Sequence, residues 1–272
     1  NSGDETVAYK MVDKKPVYLS LYYPKDYSAE LKYPVFVFVH GGGFAGHKVF
    51  PEQTCWAGDH LGFLARYYAN KGFVSVSIDY RLMQENGQKE GYQLIDLYED
   101  CMDAIVYLKE NETRYGLDFE HSVLLGESAG GCLAAALGTL CYRENSVFQK
   151  MILVNAITDL FDSRWNQRVP GVSTHPLLQG KSKPEITYLL SPVHQISENT
   201  PETLLLHGLD DTVVHLRHSQ SFYDEMCLHQ KEAKLHLISD TDHAFLLAEY
   251  MKEKGKSLSA AAIAIEIIDQ WL

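Results

Sequence analysis

The chain has few cysteines, and no two of them form a Cys-x-x-Cys pair. A disulfide framework or a zinc site would need an even number or a close spacing of thiols. We therefore expect buried free thiols, no metal ion and a cytoplasmic location; a secretion signal removed ahead of residue 1 is the alternative for the location. The five cysteines are Cys55, Cys101, Cys132, Cys141 and Cys227.

Long apolar runs and an excess of positive charge are also missing. No run reaches the length of about 18 residues that a membrane span needs, and residues 1–5 lack the basic and apolar regions of a secretory signal. The chain has 24 Lys and Arg against 36 Asp and Glu, a net charge of −12. This charge repels phosphate backbones and anionic lipid surfaces. We expect neither nucleic acid nor a membrane as a partner.

Disorder and a multidomain arrangement are not indicated either. Hydrophobic residues make up 46% and charged residues 22% of the 272 residues, which is ordinary for a globular protein and too apolar for a disordered one. No Gly/Ser linker, internal repeat or low-complexity tract marks a boundary. The sequence therefore predicts a single domain over residues 1–272.

Short apolar runs alternate with helical patterns along the chain. VFVFV at 35–39 suits a central strand covered on both faces, and 93–111 repeats apolar residues every three or four positions, as a helix does. This alternation predicts an α/β fold, a mostly parallel central sheet with helices on both faces. Further strands are expected at 17–23, 73–78, 123–125, 151–154, 203–206 and 235–238, and a closing helix after Leu258.

Residues 156–200 depart from this pattern. The segment contains Trp165, Arg168, Pro170 and Pro184, shows no sustained period, and is too long for a bare connection. We expect it to form a lid-like or substrate-binding insert. In open sheets of this class ligands bind beyond the carboxyl ends of the strands, so functional motifs should directly follow apolar runs.

One such motif is Gly-Glu-Ser-Ala-Gly at 126–130, which follows the run SVLL and precedes a small-residue stretch with high helix propensity. This strand, turn and helix order is typical of a nucleophile elbow, with Ser128 exposed on a strained turn. Composition alone produces the pattern roughly 0.1 times in such a chain. The alternative is a small-residue turn that packs a helix against the sheet.

A second motif, His-Gly-Gly-Gly-Phe at 40–44, follows VFVFV directly. Glycines leave backbone N–H groups free to face a ligand, as an oxyanion hole requires. We expect Gly42, Gly43 and Ala129 to donate these hydrogen bonds and His40 to brace the loop. The alternative is a plain flexible turn.

A serine hydroxyl needs a base and an orienting acid, which should follow it in the order acid, then histidine. His243 comes after the predicted strand KLHLI, where the last loop of the sheet would bring it over Ser128. The acid is expected after the strand LLLHG, at Asp210 or Asp211, of which only one can face the histidine.

Other histidines have simpler interpretations. His207 is expected to support its own turn. His215 and His218 share a helical face, but two histidines without a third ligand are usually solvated surface residues.

These motifs resemble the α/β-hydrolase superfamily and, within it, bacterial esterases related to hormone-sensitive lipase and to feruloyl and acetyl-xylan esterases. The family spacing implies Asp211 as the acid and His243 as the base. Two segments, 45–48 and 83–85, depart from the family pattern, which leaves the identity of the substrate open. The matching pieces occur in family order and span nearly the whole chain: YYPKDY, HGGGF (40–44), DYRL (79–82), RYGLD (114–118), GESAGG (126–131), SPVHQIS (191–197), HGLDDTVV (207–214) and HAF (243–245).

The resemblance implies an α/β-hydrolase fold and a serine carboxylesterase that hydrolyses short acyl esters through an acyl-enzyme. Acetyl or feruloyl groups on plant carbohydrate are the candidate substrates, so the expected partner is a small-molecule or carbohydrate ester. The resemblance implies no cofactor, and a homodimer stays open. Two alternatives remain: an amidase, formamidase or peptidase on the same scaffold, and a non-catalytic binding protein of this fold.

Overall fold

The computed structural model describes residues 3–45, 59–85, 88–89, 91–139 and 147–272. Two features of the sequence lie outside these ranges. They are residues 46–48, which belong to the segment that differs from the family pattern, and the thiols of Cys55 and Cys141. The strands are β1 (Glu5–Val12), β2 (Lys15–Tyr22), β3 (Tyr33–Val39), β4 (Val74–Ile78), β5 (Gln84–Glu85), β6 (Gln88–Lys89), β7 (Leu117–Glu127), β8 (Lys150–Val154), β9 (Glu202–Gly208) and β10 (Ala233–Ile238). The helices are α1 (Asp59–Asn70), α2 (Leu94–Glu110), α3 (Glu112–Tyr115), α4 (Ala129–Thr139), α5 (Ser163–Asn166), α6 (Lys183–Leu190), α7 (Arg217–Leu228), α8 (Ala248–Glu253) and α9 (Ala260–Trp271), with a 3₁₀ turn at Pro192–Gln195.

Eight of these strands form one sheet in the order β1-β2-β4-β3-β7-β8-β9-β10. The six strands from β4 to β10 run parallel, whereas β2 pairs antiparallel with both β1 and β4. The remaining two strands, β5 and β6, form a short separate hairpin. The predicted fold class, a mostly parallel sheet with helices on both faces, is confirmed.

The alternating residues of β3 divide the protein core into two parts. Because successive side chains of a strand point to opposite faces, Val35, Val37 and Val39 pack with the apolar residues of α2 and α4. Phe36 and Phe38 point the other way and pack with α1 and α9. We call these the valine face and the phenylalanine face of the sheet. All five side chains are fully buried, as the run VFVFV predicts.

The strand β1 was not predicted from the sequence. It forms an antiparallel hairpin with β2 through Asp13 and Lys14, whose φ angles are 48° and 65°. Two positive φ angles are typical of a tight hairpin turn, which usually contains Asn-Gly or Asp-Gly. This turn contains no glycine and the strand is only partly buried. The sequence therefore had neither a glycine turn nor a clear apolar alternation to indicate β1.

The expectation for the thiols is confirmed for two cysteines and wrong for one. Cys101 and Cys132 are buried and free, whereas Cys227 is exposed. The buried positions of α7 include Phe222 and Met226, and the next residue in a helix points about 100° away from its predecessor. Cys227 therefore falls outside the apolar face of its helix.

The insert at 156–200 consists of α5, α6, the 3₁₀ turn and connecting segments. Some of its apolar side chains, among them Leu160, Trp165 and Ile186, are buried in the core of the valine face, whereas others, such as Phe161 and Val172, are exposed. Within the described ranges, every helix is too short or too polar to cross a bilayer.

Candidate active site

Ser128 lies at the turn between β7 and α4, as the sequence predicts. The expectation that it is exposed there is wrong: the residue is buried, because His243 and the loop at 41–44 lie against it. The φ angle of Ser128 is +56°, in the left-handed region that residues with a side chain adopt rarely. The Ser128 N–H donates to the carbonyl of Val154 at 2.9 Å, and the Ser128 carbonyl accepts from the N–H groups of Cys132 and Ile157 at 3.2 Å each. The turn is thus held both by α4 and by the segment that follows β8.

Glycine at position 130 allows α4 to begin close to β3. A Cβ on Gly130 would collide with the carbonyl oxygens of Val39 and His40. The absence of a side chain therefore lets the first turn of α4 contact the end of β3. This contact places the turn of Ser128 beside the His-Gly-Gly-Gly loop.

The loop at 41–44 lies directly against Ser128. A Cβ built on Gly41 would be 2.9 Å from the Glu127 carbonyl oxygen and 3.1 Å from the Ser128 Cβ. Gly42 has a φ of 119°, which favours glycine, and Gly43 a φ of 64°. The structure thus brings the loop with these two residues against the turn that ends at Ala129, the first residue of α4.

Tyr80 supports this loop through contacts with His40. Its hydroxyl donates to the carbonyl oxygen of His40 at 2.6 Å, and its ring stacks on the His40 imidazole at 4.4 Å between centroids. His40 Nδ1 donates in turn to the Gly41 carbonyl at 2.7 Å. Burial, followed by nearby thiol and carboxylate groups, raises the pKa of Tyr80 well above its usual value, so the hydroxyl keeps its proton. His40 and Tyr80 together brace the loop.

His243 lies between Ser128 and Asp211. Its Nε2 is 2.8 Å from the Ser128 Oγ, and its Nδ1 is 2.7 Å from the Asp211 Oδ2. Asp210 instead pairs with Lys256 at 2.8 Å near the surface. Three residues that are far apart in the sequence thus form one hydrogen-bonded series, with Asp211 and not Asp210 at its end.

The Asp211 carboxylate is fixed by its own loop. Its Oδ1 accepts from the N–H groups of Val213 and Val214 at 2.8 Å each. His207 Nε2 donates to the Val214 carbonyl at 3.0 Å and lies 3.4 Å from Asp211 Oδ2, while its Nδ1 is 2.7 Å from Ser219 Oγ. Burial lowers the pKa of His207, which favours the neutral ring. His207 supports its own turn, as predicted.

Asp242 joins the loop of the acid to that of the histidine. Its Oδ1 accepts from the His243 N–H at 2.7 Å and from the Thr212 N–H at 3.0 Å. Burial acts to raise the pKa of Asp242, but these N–H groups outweigh it and lower the pKa below the usual value. The carboxylate therefore stays ionised and holds the two loops together.

The prediction of a solvated surface position is wrong for His218. The side chain is buried on the apolar side of α7, and its Nδ1 accepts from the N–H groups of Thr158 and Asp159 at 3.2 and 3.3 Å. Nε2 therefore carries the hydrogen and lies 3.5 Å from the Asp162 carboxylate. Burial lowers the pKa of His218 to about 4. The residue joins the insert to α7.

Three residues that contact the site, Tyr80, Asp242 and Asn155, were not recognised as such from the sequence. Tyr80 belongs to a matched motif, yet only the fold reveals that its hydroxyl reaches the His40 carbonyl. Asn155 follows β8 directly, at the edge of the sheet where functional residues of this fold class gather. The position of Asn155 directly after a strand could have identified it from the sequence as a candidate site residue.

This arrangement can perform proton transfer at a hydroxyl. An imidazole that contacts a hydroxyl through one nitrogen and a carboxylate through the other can take the hydroxyl proton and activate the oxygen as a nucleophile. In the part of the chain that the structure describes, no three His, Cys, Asp or Glu side chains are close enough together to hold a metal ion.

Comparison with known families gives one match that covers most of the chain. The family model described as BD-FAE matches residues 19–226. This range contains the His-Gly-Gly-Gly loop, Ser128 and Asp211, and it ends before His243.

Among curated proteins, the chain is 27% identical to a probable isoprenylcysteine alpha-carbonyl methylesterase of Oryza sativa subsp. japonica, over 83% of this chain and 54% of that protein. It is 32% identical to a non-reducing polyketide synthase of Emericella nidulans over 60% of this chain, but it spans only 6% of that protein's length. The chain therefore corresponds to a small part of the large synthases that it matches.

Among solved structures, the chain resembles esterase 2 of Thermogutta terrifontis. The form phosphonylated by sarin has 22% identity and a TM-score of 0.76, over 98% of this chain and 93% of that one. The butyrate-bound form has 21% identity and a TM-score of 0.75, over 98% and 94%. The likeness shows that the chain has the α/β-hydrolase fold.

Proposed function

Because the chain belongs to the BD-FAE family, a family of carboxylic ester hydrolases in the α/β-hydrolase superfamily, we propose that it is a serine carboxylesterase for short acyl esters. One observation carries this proposal. The Ser128 Oγ lies 2.8 Å from His243 Nε2, and His243 Nδ1 lies 2.7 Å from Asp211 Oδ2. Both distances are within the range of hydrogen bonds.

In the first half of the reaction, His243 takes the proton of Ser128 as the oxygen attacks the ester carbonyl. Asp211 holds the imidazole in the tautomer whose Nε2 is free to accept, and it stabilises the imidazolium that forms. The imidazolium then gives its proton to the leaving alcohol, and the acyl group remains on Ser128. Water, activated by the same imidazole, releases the acid and restores the hydroxyl.

The negative charge on the former carbonyl oxygen needs donors that are already in place. We assign this role to the N–H groups of Gly42, Gly43 and Ala129, because the loop at 41–44 lies against the turn of Ser128. Loss of one such donor typically costs about 3 to 4 kcal/mol of transition-state stabilisation. The brace from Tyr80 and His40 is therefore important for the reaction, since it holds this loop.

The proposed substrates are esters of short acids, with acetyl or feruloyl groups on plant carbohydrate as the specific candidates. The butyrate bound to the Thermogutta esterase supports a short acyl group, and the family supports an ester substrate. We propose that residues 156–200 of the single domain act as a lid-like or substrate-binding insert. In support of this, the rings of Trp165 in the insert and of Phe44, which follows Gly43, form a T-shaped pair at 6.4 Å between centroids.

The test is a panel of p-nitrophenyl esters from acetyl to decanoyl, together with acetylated xylan, methyl ferulate and matched anilide and formamide substrates. We expect hydrolysis of the short esters, covalent labelling of Ser128 by a phosphonate probe, and loss of both in Ser128→Ala. Faster turnover of the anilide or formamide would identify an amidase instead. Absence of both turnover and labelling in the wild type would identify a binding protein.

A further inference from the structure

Asn155, which no step of the proposed mechanism uses, is the first residue after β8. It is completely buried, and its φ angle is +43°, in the left-handed region. Among residues with a side chain, asparagine adopts this conformation most readily. The position is adjacent in sequence to Val154 and lies at the carboxyl edge of the sheet, where the loops of Ser128, Asp211 and His243 also begin.

The side-chain amide of Asn155 contacts two of these loops at once. Its Oδ1 accepts from the N–H of Gly208, the last residue of β9, at 2.9 Å. Its Nδ2 donates to the main-chain carbonyl oxygen of His243. One amide group thus joins the strand that leads to Asp211 to the residue that contacts Ser128.

The main chain around Asn155 holds the third loop. Val154 accepts from the Ser128 N–H at 2.9 Å, and the Ile157 N–H donates to the Ser128 carbonyl at 3.2 Å. The Asn155 N–H donates to Leu206 of β9 at 2.9 Å. The four residues 154–157 therefore contact the Ser128 turn through their backbone and the other two loops through one side chain.

We propose that Asn155 is a positioning residue that sets the distance between His243 and Ser128 and the alignment of His243 with Asp211. The proposal rests on the proposed esterase function. An amide supplies both a donor for the His243 carbonyl and an acceptor for the Gly208 N–H from one planar group. In a site without exposure to water, loss of either bond leaves a buried polar group without a partner.

Substitution by glycine and by aspartate separates the side-chain bonds from the backbone conformation. Asn155→Gly keeps the positive φ angle without strain but removes both side-chain bonds. Asn155→Asp keeps the shape and the acceptor for Gly208. Because burial raises the pKa of a carboxyl group, this variant is compared at high pH, where the ionised carboxylate cannot donate to the His243 carbonyl. Gln230→Gly is the matched control, because Gln230 also has a positive φ angle of 55° but is exposed at the turn after α7.

We expect kcat of both Asn155 variants on p-nitrophenyl acetate to fall by about 10- to 100-fold, since a misplacement of 1 Å can reduce a rate by that order. KM should change by less than about twofold, because the acyl and alcohol contacts of the substrate are untouched. The proton NMR signal of the hydrogen bond between His243 Nδ1 and Asp211, which lies far downfield, should shift or broaden in both variants. Gln230→Gly should match the wild type in each measurement.

The proposal is overturned if a folded Asn155 variant keeps kcat within about twofold of the wild type, or if kcat falls while the downfield signal stays unchanged. A lower melting temperature with unchanged kcat and signal would likewise show a purely structural role. If Asn155→Gly fails to fold by circular dichroism, the isosteric Asn155→Asp decides. If the proposed esterase function is wrong, the result is different, because the wild type would then neither hydrolyse esters nor react with phosphonate. The downfield NMR signal of the two Asn155 variants would still test whether Asn155 positions His243.

Discussion

Ser128 combines a strained backbone with a reactive position. A left-handed conformation costs a residue with a Cβ about 1 to 2 kcal/mol, and at Ser128 the bonds to Val154 and Ile157 maintain it. The strain directs the hydroxyl towards His243 rather than into the helix. The strained backbone thus lowers stability at the position whose hydroxyl the proposed chemistry uses.

A pair of inactive variants measures this strain. Ser128→Gly should be more stable than Ser128→Ala by about 1 kcal/mol, because glycine adopts a positive φ angle freely and alanine does not. Both variants lack the hydroxyl, so both should be inactive and the loss of the Ser128–His243 bond cancels in the comparison. Urea unfolding at pH 7 measures the difference. Equal stability, or a more stable alanine variant, would show that the turn is not strained.

The Tyr80 hydroxyl offers a second test at this scale. Tyr80→Phe removes the bond to the His40 carbonyl, and we expect kcat to fall about tenfold because the loop with Gly42 and Gly43 is less well held. Tyr98→Phe is the matched control: its buried hydroxyl donates to the Leu190 carbonyl at 2.7 Å. Both variants should lose about 1 kcal/mol of stability. An equal change of kcat in the two variants would contradict a specific role of Tyr80.

Among the secondary-structure elements, those with strong and simple patterns were predicted well. The run VFVFV identified β3 because it is buried on both faces, and the regular spacing of apolar residues identified α2 within one or two residues of its ends. The hairpin strand β1 was missed, because its burial is partial and its turn, at Asp13 and Lys14, contains no glycine. A sequence pattern reveals a strand or a helix only when the burial of that element requires apolar residues at regular positions.

The connection between the insert and α7 depends on the neutral state of His218. The pKa of His218 is lowered to about 4 by burial first, with Asp162 and Asp159 acting in the opposite direction and Arg217 in the same one. An unfolded histidine has a pKa of about 6.5. Between these values the unfolded chain binds more protons than the folded one, so the free energy of unfolding falls as the pH is lowered.

We therefore expect His218 to contribute a loss of stability of up to about 3 kcal/mol as the pH falls from about 6.5 to about 4, with no further loss below that. His218→Gln cannot titrate, so its free energy of unfolding should depend less on pH. The difference in stability between this variant and the wild type at pH 7 should therefore become smaller in acid. Urea unfolding of both proteins at pH 7, 5.5 and 4 measures this. Parallel pH curves would contradict the assignment.

At the scale of the whole molecule, Ser128, Asp211 and His243 follow the carboxyl ends of three different strands, β7, β9 and β10. Chain order and strand context were sufficient to single out Ser128 and His243, and the family spacing was needed to choose Asp211 over Asp210. The contacts of Asn155 could not be predicted, because they depend on how closely β8 and β9 approach the loop of His243. The sequence specifies which residues follow each strand, whereas their mutual distances arise from packing.

The net charge of −12 leads to a prediction about substrates. The field of an acidic protein repels an anionic ester, and salt screens this repulsion with a Debye length of about 10 Å at 0.1 M. We expect kcat/KM for p-nitrophenyl hemisuccinate, relative to the neutral acetate ester, to rise between about 0.01 and 0.3 M NaCl. The neutral ester is the internal control. A ratio that stays constant or falls would show that the field at the site is not negative.

The two faces of the sheet differ in their relation to the proposed chemistry. The helix that starts after Ser128 packs on the valine face. The helices α1 and α9 cover the phenylalanine face, where Phe245 and Leu246 of the loop after His243 also pack. Substitutions that are well separated in space usually have independent effects. Directed evolution for heat tolerance should therefore collect substitutions that leave activity unchanged beneath α1, whereas substitutions beneath α9 should also affect the loop of His243.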